Sequence, residues 1–279
     1  MRALAAIACG ALCLTLARRK KNVAALGANN RLRQATALLA TSVLTDSAME
    51  HYRGSYANPA MVLPPAAATL ALAASATSGS EPSHWRSSIF AAVAATGMLG
   101  TGFHLYNITK RPGGWSWQNL FYAAPVGAPG ALMLAGLLGV SAEAMHRRPS
   151  SGLGRMVALL SATGMAGTCA EVALLHFRGA FQHRAMYLPV TIAPLTTVAL
   201  LHAGVANHPT WLARWGLRTT ALLGMAGSAF HIRGVARNHG GWRNWSQNLF
   251  NGPPVPAPPG LTALSIAGLA ALDVLDQSP

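Results

Sequence analysis

Apolar residues run along this chain in long blocks, and the polar positions gather between the blocks instead of alternating within them. Blocks near the ~20 residues that a bilayer-crossing helix requires recur over the whole length. Their spacing predicts eight helices in two sets of four, at 34–53, 59–79, 85–108 and 129–146, then 155–178, 184–206, 210–234 and 260–275. A shorter apolar run, 3–17, lies ahead of them between Arg2 and the basic cluster Arg18-Arg19-Lys20-Lys21. It has the length of a signal-peptide core. No small-x-small cleavage pattern follows it and four positive charges do, so it reads as an uncleaved anchor helix.

The second set of blocks repeats the first. Asp46, His51, Arg53, Gly54, Met61 and Pro64 recur as Glu171, His176, Arg178, Gly179, Met186 and Pro189, all 125 residues later. Gly97-Met98 and Phe103-His104 recur as Gly224-Met225 and Phe230-His231, and Gly113-Gly114-Trp115 as Gly240-Gly241-Trp242, 127 residues on. Gln118-Asn119-Leu120-Phe121 recurs as Gln247-Asn248-Leu249-Phe250 at an offset of 129. A period this long marks a duplicated domain, not a solenoid. Four helices return the chain to its starting side, so the units share one orientation, related by a pseudo-two-fold axis along the membrane normal. The expected fold is an all-α, polytopic membrane protein. It comprises an N-terminal anchor helix and basic segment (1–33), a first four-helix repeat (34–150) and a second (151–279).

Composition agrees. Of the 279 residues 52% are hydrophobic and 10% charged, against about 25% charged in a soluble domain. The net charge of +14 does not form a nucleic-acid footprint, because the Arg and Lys punctuate apolar spans as juxtamembrane anchors do. Placing Arg18 to Arg33 in the cytoplasm puts twelve basic residues inside and nine outside, a bias in favour of that orientation in the plasma (inner) membrane. Three scattered cysteines, Cys9, Cys13 and Cys169, form neither a disulfide framework nor a metal-finger spacing.

Two long loops rich in Gly, Pro and Trp, 109–128 and 235–259, leave the helices that carry His104 and His231. Their prolines exclude one continuous helix, and their Trp residues suit the membrane interface. They are candidate lids. The glycines after His51 and His176 are expected to end their helices at C′, and Pro64-Pro65 and Pro189 are expected to break helices.

In this topology the four repeated histidines share a depth near the outer boundary of the hydrocarbon. Asp46 and Glu171 lie about 7.5 Å deeper at the helical rise. An ionisable group inside a span costs on the order of 3 kcal/mol, which makes a doubled set a candidate site. One reading is a metal ion (iron, with copper or zinc as alternatives) held by Asp46, His51 and His104 and by Glu171, His176 and His231, in two centres or one shared dinuclear centre. The geometry is awkward, since residues five apart differ by about 140° around a helix. Glu50 ranks lower as a ligand because its counterpart is Leu175.

A second reading is haem b, with His51 facing His104 and His176 facing His231. Arg53 and Arg178 would then meet propionates, and Gly97, Gly100, Gly102, Gly224 and Gly227 would admit a flat ring. Close helix packing is the better explanation of those glycines. Met61 and Met186 beside imidazoles add a copper reading, the weakest of the three. Gln118, Asn119, Gln247 and Asn248 are candidate hydrogen-bond partners for a substrate or the ligands. The functional expectation is a membrane metal- or haem-binding protein in redox chemistry or electron transfer, with a lipid-soluble substrate or a soluble redox partner. If it is an enzyme, it is a membrane-bound oxidoreductase. The alternatives are a parallel-repeat transporter and a membrane docking subunit for a soluble redox partner.

Overall fold

The computed structural model describes the backbone of residues 2–77, 82–123 and 125–277, with side chains except those of 2–25 and Phe121. The described chain is all helical. Its helices are α1 (Arg2–Arg53), α2 (Leu63–Ala76), α3 (His84–Lys110), α4 (Trp117–Tyr122), α5 (Gly127–Arg147), α6 (Ser151–Arg178), α7 (Ile192–Ala206), α8 (Trp211–Arg237), α9 (Trp245–Asn251) and α10 (Pro259–Leu275). Short 3-10 turns at Pro59–Val62, Arg184–Tyr187 and Gly241–Asn244 precede α2, α7 and α9.

The boundaries follow local chemistry. Ser150 and Thr210 cap α6 and α8 by accepting from Leu153 N and Ala213 N, as N-cap hydroxyls do. Pro112 holds Arg111 extended at the end of α3 (φ −72°, ψ 150°). Asn207 ends α7 in the left-handed region at φ 53°. Pro64 and Pro65 do not break a helix as the sequence suggested. They sit in the first turn of α2, where a missing N–H costs nothing. Pro189 likewise lies in the turn before α7.

Where the sequence reading separates an anchor and basic segment from a helix starting at 34, the backbone is helical from Arg2 through Arg53. The side chains of residues 2–25, including Cys9 and Cys13, lie outside the described residues. Cys169 is buried, with a free thiol.

Around the middle of the molecule α1, α5, α6 and α10 pack together, α1 touching α5 and α10, and α6 touching the same two. Outside this quartet α2 and α3 lean on α1 and α5, and α7 and α8 lean on α6 and α10. The central core is built largely from small residues, among them Ala35, Ala135, Ala142, Ala158, Ala263 and Ala267, with Leu32, Leu138, Met165 and Leu264 filling between. Glycines bring α3 onto α5. A Cβ added at Gly97 would lie 2.7 Å from Pro129 O, and one at Gly139 would lie 2.8 Å from Phe90 Cδ2.

Large apolar side chains point the other way. Leu70, Met98, Leu99, Phe103, Leu195, Leu222 and Met225 are exposed on the outer helices. Small residues inside and large apolar ones outside is the packing of a bundle surrounded by lipid. Five helical segments are long and apolar enough to cross a membrane: Pro59–Ala76, His84–Lys110, Gly127–Arg147, Ser151–Arg178 and Arg184–Ala206. The chain is therefore read as a multi-pass membrane protein. The spans expected at 34–53, 210–234 and 260–275 are not among the five. The last corresponds to α10, which has 17 residues, and its inward position leaves little of it to face lipid.

Ion pairs fasten the helix ends opposite the histidines. Arg86 Nε donates to Glu143 Oε1 at 2.7 Å, both side chains buried, and Glu143 also accepts from Ser83 N at 2.8 Å. In the second half Arg214 Nη1 donates to Asp273 at 2.8 Å, and Arg214 also pairs with Asp276 and Arg31 with Asp273.

Candidate cofactor site

The repeated stretch that ends α1 and α6 folds the same way twice. After Arg53 the chain turns through Gly54 into two consecutive left-handed residues, Ser55 (φ 53°) and Tyr56 (φ 46°). After Arg178 it turns through Gly179 into Ala180 (φ 53°) and Phe181 (φ 45°). The helices end just before these glycines, as expected, and Gly179 itself has φ −80°, outside the left-handed region. The glycines are needed for space. A Cβ at Gly54 would lie 3.0 Å from the Met61 methyl, and one at Gly179 would lie 3.2 Å from the Met186 methyl. The recurrence of Met61 and Met186 is explained by that contact, without copper.

The turn brings each histidine against a backbone carbonyl ten residues ahead. His51 Nδ1 lies 2.5 Å from Met61 O, and His176 Nδ1 lies 2.8 Å from Met186 O. The rings of Tyr56 and Phe181 stand edge-on to these imidazoles, with centroids 6.2 and 6.1 Å away. On α3 and α8 the other two histidines reach into the Trp-rich loops: His104 Nδ1 is 2.6 Å from Pro125 O, and His231 Nδ1 is 2.7 Å from Pro254 O. A carbonyl can only accept, so each ring donates from Nδ1, and in its neutral form it would present Nε2 with a lone pair. His104 lies within electrostatic range of His51, and His231 within range of His176. The helices of each pair stand diagonally: α1 and α3 meet through α2 and α5, and α6 and α8 through α7 and α10.

The carboxylates stand apart from this scheme. Of the chain's acidic residues only Glu81 falls outside the described segments. Glu50 pairs with Arg53, while Glu143, Asp273 and Asp276 hold the ion pairs given above. Asp46 and Glu171 have no ion pair among the described residues. Glu171 lies against Gly127 at the start of α5, where an added Cβ would be 2.8 Å from Oε1, and it is within electrostatic range of Asp46. Among the described residues no three His, Cys, Asp or Glu side chains converge as a metal-ligand group. The structure therefore sets His104 within electrostatic range of His51 and His231 within range of His176, and among the described residues it shows no three-ligand set that includes Asp46 or Glu171.

The remaining candidates divide. Asn119 Nδ2 donates to Pro112 O at 3.0 Å and Gly114 O at 2.8 Å, and Asn248 Nδ2 donates to His239 O at 3.2 Å and Gly241 O at 2.8 Å. These buried amides hold the Gly113-Gly114 and Gly240-Gly241 turns, whose positive φ values of 87°, 53°, 80° and 53° favour glycine. Gln118 and Gln247 are exposed, and Gln247 accepts from Asn244 at 3.0 Å. Arg178 lies over the Tyr122 ring at 5.1 Å.

Gly97 and Gly224 face the backbones of α5 and α10, and Gly100 and Gly227 face Pro129 and Pro258. These four are helix-packing glycines. Gly102 touches nothing within 4 Å. Sequence reasoning missed His183, whose Nδ1 accepts from Ala185 N at 3.1 Å. Its counterpart, Asn58, caps Ala60 N at 2.9 Å, and the shared offset of 125 could have revealed it. No family model matches the chain, and no curated protein or solved structure was found to resemble it.

Proposed function

We propose that the chain is an integral plasma (inner) membrane electron-transfer protein, built as two tandem four-helix units in parallel pseudo-two-fold relation after the N-terminal anchor. Each unit holds one haem b between two histidines, His51 with His104 and His176 with His231. The observation that carries this reading is the set of four matched Nδ1-to-carbonyl bonds. They fix each ring in the tautomer with a free Nε2 and orient it from behind, as ligating histidines are held.

A haem would need only two imidazoles from the protein, and each unit would offer such a pair. A zinc or non-haem iron centre takes roughly three or four protein ligands, and the described side chains offer no such group. The diagonal placement of the paired helices favours a group held between them. When bound, the haem supplies a one-electron couple. The chain's own residues orient the imidazoles and close their end of the bundle with the Pro125 and Pro254 loops; Arg178 stands two residues beyond His176, where a propionate would meet it, while its counterpart Arg53 is paired with Glu50. The exposed Trp115, Trp117, Trp242 and Trp245 give these loops a surface for a soluble redox partner.

The test is an absorption spectrum with elemental analysis of the detergent-purified protein. The reading expects a Soret band and stoichiometric iron. Copper or zinc without a Soret band would replace haem by a metal ion, and neither would remove the cofactor reading.

A further inference from the structure

The end of the bundle that carries the repeated histidines has an open cleft of about 600 Å³ lined by Tyr52, Arg53, Ser55, Tyr56, Phe250 and Asn251. That is within the size range of small-molecule sites. It is formed where the end of α1 meets α9 of the other half, with Tyr52 and Phe250 stacked at 5.6 Å and 22°. Tyr56, one wall of the cleft, is the ring that stands edge-on to His51.

The two copies of the repeat differ at this place. Tyr52, Ser55 and Tyr56 correspond to Phe177, Ala180 and Phe181, each lacking the hydroxyl, while Arg53 and Phe250 correspond to Arg178 and Phe121. Helix ends, turns and histidine bonds were kept in both copies, yet these three positions carry hydroxyls in the first copy only, that of Tyr56 donating to Ala48 O at 3.5 Å, while Asn251 has Tyr122 as its counterpart. Among the described residues the hydroxyls of Tyr52 and Ser55 and the amide of Asn251 have no hydrogen-bond partner in the chain, so they do not hold the fold. The charge of Arg53 is balanced by Glu50 at 2.8 Å, which argues against an anionic headgroup. Three aromatic rings, two hydroxyls without partners and an arginine already paired with Glu50 suit a flat, uncharged ring bearing oxygen atoms.

We propose that this cleft binds the ring of a lipid-soluble quinone or quinol, and that the chain has one such site, at the α1 end. The inference rests on the electron-transfer reading for its purpose, since the ring would lie beside the His51 imidazole. It stands on the cleft and the divergence of the repeats for its location.

The test uses the full chain in detergent. Decylubiquinone is titrated by calorimetry, an azido-substituted benzoquinone is used as photolabel, and the Soret band is read on the same samples. Wild type is expected to bind one quinone and to be labelled within 52–56 or 245–251. The variant Tyr52→Phe, Ser55→Ala, Tyr56→Phe, which copies the second repeat, is expected to bind at least tenfold more weakly. Unchanged affinity in that variant, or label at 177–181, overturns the proposal. Should the variant misfold, the label on wild type decides alone. Quinone binding without a Soret band overturns the haem reading only. A Soret band without quinone binding overturns this one only.

Discussion

Ten residues separate His176 from Met186, and the Nδ1 of the first donates to the carbonyl oxygen of the second at 2.8 Å. That bond ties the end of α6 to the turn before α7, and His51 repeats it with Met61. What recurs in the sequence as His, Gly and Met is one turn. The histidine bonds the main chain of the methionine, and the methionine methyl covers the glycine.

Asn119 and Asn248 fasten the Trp-rich loops by two bonds each. Asn119→Ala should leave two loop carbonyls without that partner and cost about 1–3 kcal/mol locally. Limited proteolysis is expected to nick residues 111–117 faster in this variant, with the spans intact. Asn248→Ala should do the same at 239–245.

Arg86 and Glu143 form a buried pair on α3 and α5. Arg86→Ala leaves a buried carboxylate uncompensated, and about 3–5 kcal/mol should be lost. Pairing Arg86→Met with Glu143→Leu should restore most of it. Thermal unfolding in detergent checks both.

Gly97 and Gly102, five residues apart, should respond with opposite signs. Gly97→Ala drives a methyl into the α5 backbone and should cost about 1–3 kcal/mol. Gly102→Ala meets open space and should gain up to about 1 kcal/mol from helix propensity. If Gly102 instead lined a ring site, its alanine variant would lose cofactor.

Asp46 has no ion pair among the described residues and lies in range of Glu50 and Glu171. Asp46→Asn should raise the unfolding free energy by on the order of 1 kcal/mol, since a charge is removed from an apolar setting. Cofactor content should not change. Loss of iron in this variant would return Asp46 to the ligand set.

The sequence made the helices legible because apolar blocks and repeat register agreed. The predicted range 155–178 lies within Ser151–Arg178, and 260–275 within Pro259–Leu275. The equivalence of the histidines was legible too. Their pairing with carbonyls was not, because Pro125 and Pro254 lie 21 and 23 residues beyond their histidines in loops with no periodicity. The role of Arg86 escaped for a similar reason: its partner is 57 residues away, and Arg214 and Asp273 follow Arg86 and Glu143 at offsets of 128 and 130, so no common register announces them. Asp46 and Glu171 stand out in the sequence by recurrence, by depth within a span and by carboxylate chemistry, none of which shows what they pack against. Recurrence shows that a residue was kept, while only packing shows what it faces.

The most direct measurement is haem per chain, by extraction and absorbance, in wild type and in His104→Ala and His231→Ala. Two haems in wild type and one in each variant, with all three proteins inserted in the membrane, is the predicted result. A wild type that binds no haem, or variants that both retain two, would contradict it.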